Sequence, residues 1–375
     1  MSNRFDGIEE AEGPETGRVE VEMTTIKDVA ERAGVAPSTV SYVLSGSRKI
    51  SEDTRHAVQT AIDELGYHPR ASARTLRSAR TRVLALATPR VPGAYRAIDG
   101  RFAIDVTDAA RVQGYDVLLM TDSDGVGGLR RVARSRLADA AVLMAVEDRD
   151  PRVEVLRELG FPGALLGRDD HAALPWTDLD WEAAVALAVR ETAAAGHRRI
   201  LFLSSAEHEV AARRGYALHG LDGARRAAVE TGADVRVLPS HRDPDVLARR
   251  LGEALAARPV PTALVVQHLI LLPRLLDAVA AAGMRVPHDL TVVLVGSLPD
   301  ELGIRHLPRI DLPVAEMSTA VARLAIAAIG PGRDDRSATS QESVAVPASS
   351  MPTAAPHHLI QPRMAGPVIA PPSPG

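Results

Sequence analysis

The sequence predicts a small all-α head followed by an α/β body of two doubly wound parallel-sheet lobes. Three observations carry this reading. Residues 24–67 form three short amphipathic helical runs, each with start and stop signals. From Val83 onwards, short apolar β runs alternate with Ala- and Arg-rich helical runs, the signature of βαβ units with both sheet faces covered. About eight such strands follow one another, which fits two lobes better than one.

The chain opens on residues 1–23, which carry seven acidic side chains against two basic ones and no apolar period. This segment reads as a disordered acidic tail. Thr25 then caps a first helix, with Asp28 three residues on in a capping-box arrangement and Ile26, Val29 and Ala30 as the apolar stripe. Gly34 breaks it. Pro37 suits the first turn of a second helix, where its missing N–H costs nothing. Val40, Val43 and Leu44 give that helix an inward face, and Gly46 ends it. Ser51 caps a third helix with Val58, Ala61, Ile62 and Leu65 inward, and Gly66 stops it.

Residues 24–82 carry ten basic side chains against six acidic ones. A basic head on a slightly acidic body, net charge −4 overall, is a footprint of nucleic-acid binding. In the body the β runs are "RVLALA" (82–87), "YDVLLM" (115–120), "AVLMAV" (141–146), "ALLG" (164–167), "RILFLS" (199–204), "VRVL" (235–238), "TALVV" (262–266) and "LTVVLVG" (290–296). Residues 331–375 turn Pro-, Ser- and Ala-rich and read as a loose end. The domain reading is a 1–23 tail, a 24–68 head, a 69–81 linker, an 82–370 body and a 371–375 terminal tail.

The text "TIKDVAERAGVAPSTVSYVLSGSRKISEDTRHAVQTAIDELGYHPRASARTL" resembles the DNA-binding headpiece of the LacI/GalR family of bacterial transcription regulators. The run T-I-x-D-V-A-x-x-A-G-V, the T-V-S, the I-S-x-x-T-R and the G-Y-x-P followed by A-R-x-L fall at that family's spacings. "GYDVLLM", "GHRRILFL" and "VPHDLTVVLVG" are similar, more loosely, to its effector domain. The resemblance implies a helix-turn-helix headpiece on a periplasmic-binding-protein-like body. It implies a recognition helix at 37–45 with Pro37, Ser38, Thr39, Ser41, Tyr42 and Ser45 toward DNA. Short hydroxyls let such a helix enter the major groove and bond bases or phosphates without charge. Lys49, Arg48 and Arg55 would supply phosphate attraction.

In the linker, Arg70, Ala73 and Leu76 match the family's minor-groove hinge helix. Leu76 would be the wedge between central base steps and Ala73 the point of close approach of two such helices. In the body, Arg168 matches the ligand-facing arginine after the fourth strand, Asp180 an acidic cap position, and His268 sits on the loop after "TALVV". The alternatives are a surface salt bridge of Arg168 with Asp169 or Asp170 and a structural or solvated role for His268.

The chain also departs from the family. Ala36 replaces the usual Ser or Thr cap, a loss of about 1 kcal/mol. Tyr42 stands where many members place an arginine that reads guanine, and Arg70 where Asn is frequent. Gln267-His268 replaces a common Asn-Asp pair, and Gly296-Ser297-Leu298 a Gly-Phe-Asp-like stretch.

Enzyme signatures are missing: no G-x-G-x-x-G follows the first strand, and no P-loop, G-x-S-x-G or H-E-x-x-H occurs. "DSDGVGG" (122–128) lacks the third ligand and terminal Glu of a calcium loop and reads as a strand-to-helix turn. "HH" at 357–358 falls in the loose end with no partner at metal-ligand spacing. There are no cysteines, hence no disulfide or thiolate site. No apolar run is long enough to span a membrane, and the acidic start is no signal peptide.

The expected function is a non-enzymatic, cytoplasmic transcription regulator, a repressor in the better reading. It would bind a palindromic double-stranded DNA operator as a homodimer, under control of a small-molecule effector such as a sugar, with no cofactor and no metal. The alternative is a sugar-binding-protein-like receptor or enzyme whose N-terminal helices are only structural.

Overall fold

The computed structural model describes residues 24–45, 48–67, 80–88, 97–121, 125–267, 272–298, 306–330 and 356–371. The chain divides into two units, Met1–Arg77 and Ser78–Gly375.

The first unit holds α1 (Ile26–Arg32), α2 (Pro37–Ser45) and α3 (Glu52–Leu65). Local chemistry sets each boundary. The Thr25 N–H donates to Asp28 Oδ2 (2.6 Å) and the Asp28 N–H to Thr25 Oγ1 (3.4 Å), closing the capping box. The Thr54 N–H donates to Ser51 Oγ (3.4 Å). Gly66 ends α3 with φ 57°, a left-handed conformation that glycine adopts without a Cβ penalty. The core is Val29, Ala30, Val40, Val58, Ala61 and Tyr67. Thr24 Oγ1 donates to the Leu65 carbonyl (3.1 Å), tying the start of the unit to its end.

One helical face differs from expectation. Ser41 is 8 % exposed and Leu44 is 38 % exposed. At 100° per residue Ser41, Val40 and Leu44 share one side of α2. Ser41 is buried near the middle of α2, whereas Leu44 lies in its last turn and stays open.

The second unit contains two six-stranded sheets. The first has the order β11-β5-β4-β3-β1-β2 and is parallel throughout. Its strands are β1 (Val83–Ala87), β2 (Asp116–Met120), β3 (Ala140–Met144), β4 (Gly163–Leu166), β5 (Trp176–Leu179) and β11 (His357–Ile360). The second has the order β12-β10-β9-β8-β6-β7. Its strands are β6 (Arg199–Ala206), β7 (Asp234–Ser240), β8 (Ala263–Gln267), β9 (Thr291–Ser297), β10 (Arg309–Asp311) and β12 (Met364–Ala365), of which only β12 runs antiparallel. Helices α4 (Ala97–Val112), α5 (Val126–Arg134) and α6 (Pro151–Leu159) follow strands of the first sheet. Helices α7 (Trp181–Ala194), α8 (Glu207–Ala211), α9 (Gly215–Thr231), α10 (Pro244–Ala256) and α11 (Leu272–Ala281) accompany the second, and α12 (Val314–Ala328) returns to the first.

The chain therefore crosses between lobes three times: from β5 into α7, from β10 into α12, and from β11 into β12. All eight β runs read from the sequence are strands. The central ones are buried on both faces, which is why they read as unbroken Val/Leu/Ala runs.

The expectation of a loose end needs correction. His357 and His358 lie in β11, in register with Trp176 and Thr177 of β5. The His357 ring stacks on Trp176 with centroids 4.6 Å apart. β12 pairs with β10. Beyond it, the Ile369 carbonyl accepts hydrogen bonds from His197 Nε2 (2.7 Å) and Thr291 Oγ1 (3.1 Å). Residues 356–371 are thus a strap across both lobes. Its order comes from the two sheet edges it completes, which its Pro-rich composition does not announce.

Candidate nucleic-acid interface and interlobe crevice

In the first unit, Pro37 occupies the first turn of α2. The Ala36 carbonyl accepts from the Thr39 N–H (2.8 Å) and the Val40 N–H (3.3 Å), so the helix starts as expected although Ala36 offers no capping oxygen. Pro37 and Ser38 are exposed, Thr39 is half-exposed, and Tyr42 is 37 % exposed. Ser38, Thr39 and Tyr42 form one outward side of α2, and Pro37 is exposed at its first turn. Ser41 does not share it, being packed inward. Lys49, Arg48 and Arg55 are exposed around this helix, and the Arg48 guanidinium lies over the Tyr42 ring, 5.7 Å from its centroid. An uncharged hydroxyl face ringed by cations can take phosphates at its margin and bases at its centre. Arg70, Ala73 and Leu76 lie outside the described residues, as does His268.

In the second unit, parallel strands of both lobes point their C-terminal ends toward loops, and the order reversals beside β1 and β6 mark where open α/β sheets bind ligands. Arg168 follows β4. Its Nε donates to Asp170 Oδ1, and its guanidinium lies 5.6 Å from the Trp176 ring centroid. The salt-bridge alternative for Arg168 is therefore the observed pairing. Burial works against the Arg168 charge, and the Asp170 carboxylate more than offsets it, raising the pKa. Asp180 follows β5 and caps α7, accepting from the Ala183 N–H (2.9 Å). Its other oxygen takes the Gln361 amide (3.4 Å).

Several residues of this region were not singled out in the sequence. Asp178 is fully buried, which pushes its carboxyl up to about 7 although the Trp181 indole N–H donates to it at 3.0 Å. Trp181 in turn packs on Gly296 of β9 and stands 6.1 Å from the Tyr216 ring. Tyr216 donates its hydroxyl to the buried Glu209 (2.7 Å). Asp150 and Arg152 form a buried ion pair (2.6 Å), and Arg152 also donates to the Met144 carbonyl (2.9 Å). Burial pushes the Asp150 carboxyl up, and the Arg152 guanidinium outweighs it, leaving the pKa lowered. The available signals were the D-P dipeptide of a capped helix start and the fact that the chain has two tryptophans. Both of these lie here. Among the described residues, no cluster of His, Asp and Glu is arranged to hold a metal ion.

The architecture defines the class: a helix-turn-helix head joined to a two-lobed body of the periplasmic-binding-protein type. Comparison with known proteins makes it specific. The family described as "Bacterial regulatory proteins, lacI family" matches residues 25–70, and "Periplasmic binding protein-like domain" matches residues 189–351. The chain therefore carries a LacI-family helix-turn-helix domain and a periplasmic-binding-protein-like domain.

Among relatives, the HTH-type transcriptional regulator MalR of Streptococcus pneumoniae is 31 % identical over 161 residues, 42 % of this chain and 49 % of that protein, so the match spans about half of its length. The HTH-type transcriptional regulator CelR of Thermobifida fusca is 28 % identical over 324 residues, covering 80 % of this chain and 91 % of CelR. Among solved structures, the lac repressor dimer bound to operator and the anti-inducer ONPF has a TM-score of 0.73 at 20 % identity, covering 92 % of this chain and 98 % of that one. A CelR–cellobiose complex has a TM-score of 0.61 at 23 % identity, covering 92 % and 100 %. At these identities the structures establish the shared fold.

Proposed function

We propose that this chain is a sequence-specific DNA-binding transcription regulator, a cytoplasmic repressor, without enzymatic activity. It binds a palindromic operator as a homodimer and is controlled by a small molecule between its two lobes. The observation that carries the reading is the capped three-helix head, whose second helix turns Pro37, Ser38, Thr39 and Tyr42 outward beside Arg48 and Lys49. One such head covers a half-site, so a two-fold operator calls for two copies. The face offered to a second copy is that of α4 and β2, the first sheet's open edge. It carries a hollow of about 350 Å³ in which the apolar Leu86, Ala103, Ile104, Val117 and Leu119 are joined by the polar Thr107, Asp108 and Arg111. Ile104 and Leu119 are largely exposed there.

The effector is read as a sugar or related metabolite, by likeness to the cellobiose of the CelR complex. Arg168, Asp180 and His268 are proposed to face it. Leu76, at the hinge, is proposed as the DNA wedge. No helix among the described residues is long and apolar enough to cross a membrane.

A gel-shift series tests the reading. Leu76→Ala weakens binding to a selected operator strongly and binding to random DNA little. Equal losses on both would remove the wedge. Deleting residues 1–82 abolishes DNA binding, whereas a main activity left intact by that deletion would favour a sugar-binding-protein-like receptor or enzyme with merely structural N-terminal helices.

A further inference from the structure

The rims of the two lobes touch directly, away from the three chain crossings in sequence. Residues 145–150 follow β3 in the first lobe, and residues 212–214 join α8 to α9, which opens on Gly215, in the second. Glu147 and Arg214 form an antiparallel bridge. The Asp148 N–H donates to the Arg213 carbonyl (2.8 Å), and the Gly215 N–H donates to the Val146 carbonyl (3.0 Å). Side chains repeat the pairing: Arg214 reaches Glu147 (3.2 Å) and the Ala145 carbonyl, and Arg213 reaches Asp148.

Three features distinguish this contact from incidental rim polarity. The Arg214 side chain is 14 % exposed and Glu147 33 %, so this pair is screened less than a fully exposed one, whereas Arg213 beside it is 61 % exposed. Ala145, Arg149 and Arg213 all have positive φ (49°, 59° and 52°), a conformation that non-glycine residues keep only where surroundings dictate it. Gly215 passes so close to the other rim that a Cβ there would lie 2.5 Å from the Arg168 carbonyl oxygen. The Arg152–Asp150 ion pair and the hydrogen bond from the Asp150 N–H to Asp169 (3.2 Å) hold the first rim rigid from behind.

The geometry points to a built-in clasp: Arg213 and Arg214 against Glu147 and Asp148 hold the two lobes together without any small molecule. Its regulatory consequence rests on the reading of the crevice as the effector site. An effector then acts on lobes that are already closed, and its entry requires the clasp to open. Energy spent on opening lowers the apparent affinity of any molecule that needs the open form.

The chain has no cysteine, so one cysteine per lobe gives a clean pair of labels. Arg134→Cys on α5 and Glu253→Cys on α10, spin-labelled in the full-length chain, report the interlobe distance by electron paramagnetic resonance. Dialysed protein, checked by mass spectrometry for bound small molecules, should give one narrow distance distribution. Arg213→Gln/Arg214→Gln should broaden it at least twofold or lengthen it. Charge reversal, Arg213→Glu/Arg214→Glu, should do so more strongly, and adding Glu147→Arg/Asp148→Arg should bring the narrow distance back. A broad distribution in the unaltered chain overturns the clasp, as does an unchanged one in folded Arg213→Gln/Arg214→Gln protein. Neither result bears on DNA binding, which the gel shift measures separately.

Discussion

At the residue scale, the side chains with the largest consequences are the buried charges of the body. Arg152 neutralises Asp150 in a buried pair. Arg152→Met leaves that buried carboxylate with backbone N–H partners but no counter-charge, a loss of about 3–5 kcal/mol, readable as a lowered urea midpoint. Asp178 has the opposite sign. Its folded pKa, about 7, lies above the ordinary carboxylate value, so the unfolded chain ionises first as pH rises. The stabilising difference is complete below about pH 4 and is lost as pH rises toward 7. Asp178→Asn keeps an acceptor for Trp181 and cannot ionise. It should raise the thermal midpoint at pH 7 more than at pH 5; an equal shift at both would mean that Asp178 does not titrate there. In the head, Tyr42 and Arg48 behave as one unit. Tyr42→Phe keeps the ring beneath the guanidinium, whereas Tyr42→Ala removes a contact of about 0.5–1 kcal/mol at an exposed site. On a selected operator, loss from Tyr42→Ala and Arg48→Ala together should be smaller than the sum of the two.

At the element scale, the strap of residues 356–371 is the least expected part and the easiest to test. Stopping the chain after Ala355 removes β11, β12 and the Ile369 carbonyl that holds His197. The thermal midpoint should fall by more than about 4 °C, the equivalent of roughly 2–3 kcal/mol in a chain of this size. An unchanged midpoint would make the strap a passive passenger. The same comparison shows what was legible. Strands such as β3 and β9, buried on both faces, declare themselves as Val/Leu runs. "WTDL" (β5), "RID" (β10), "HHLI" (β11) and "MA" (β12) are short and carry polar residues. Their edges are supplied by neighbours far away in sequence, so no local period marks them. The three head helices were legible because caps and stops are local chemistry: Thr25 with Asp28, Ser51 and Gly66 each work within four residues. The inward turn of Ser41 was not, because a serine on the Val40 side of α2 reads as polar surface although the helical period places it there. The Glu147–Arg214 bridge joins residues that no sequence spacing connects.

At the scale of the whole molecule, the proposed function couples a DNA-reading head to two lobes whose relative position would carry the signal. Both tryptophans neighbour residues of the proposed effector site: Trp176 lies beside Arg168, and Trp181, which follows Asp180, packs against Gly296 and Tyr216. Their emission is therefore a direct reporter in a screen of sugars and nucleosides, and a bound effector also raises the thermal midpoint. The central claim is DNA recognition by the head, and selection from a random double-stranded library by the full-length chain, at about 0.15 M salt, tests it most directly. A palindrome should be enriched whose binding weakens steeply with salt and disappears when residues 1–82 are deleted. Recovery of no preferred sequence at that salt would contradict it.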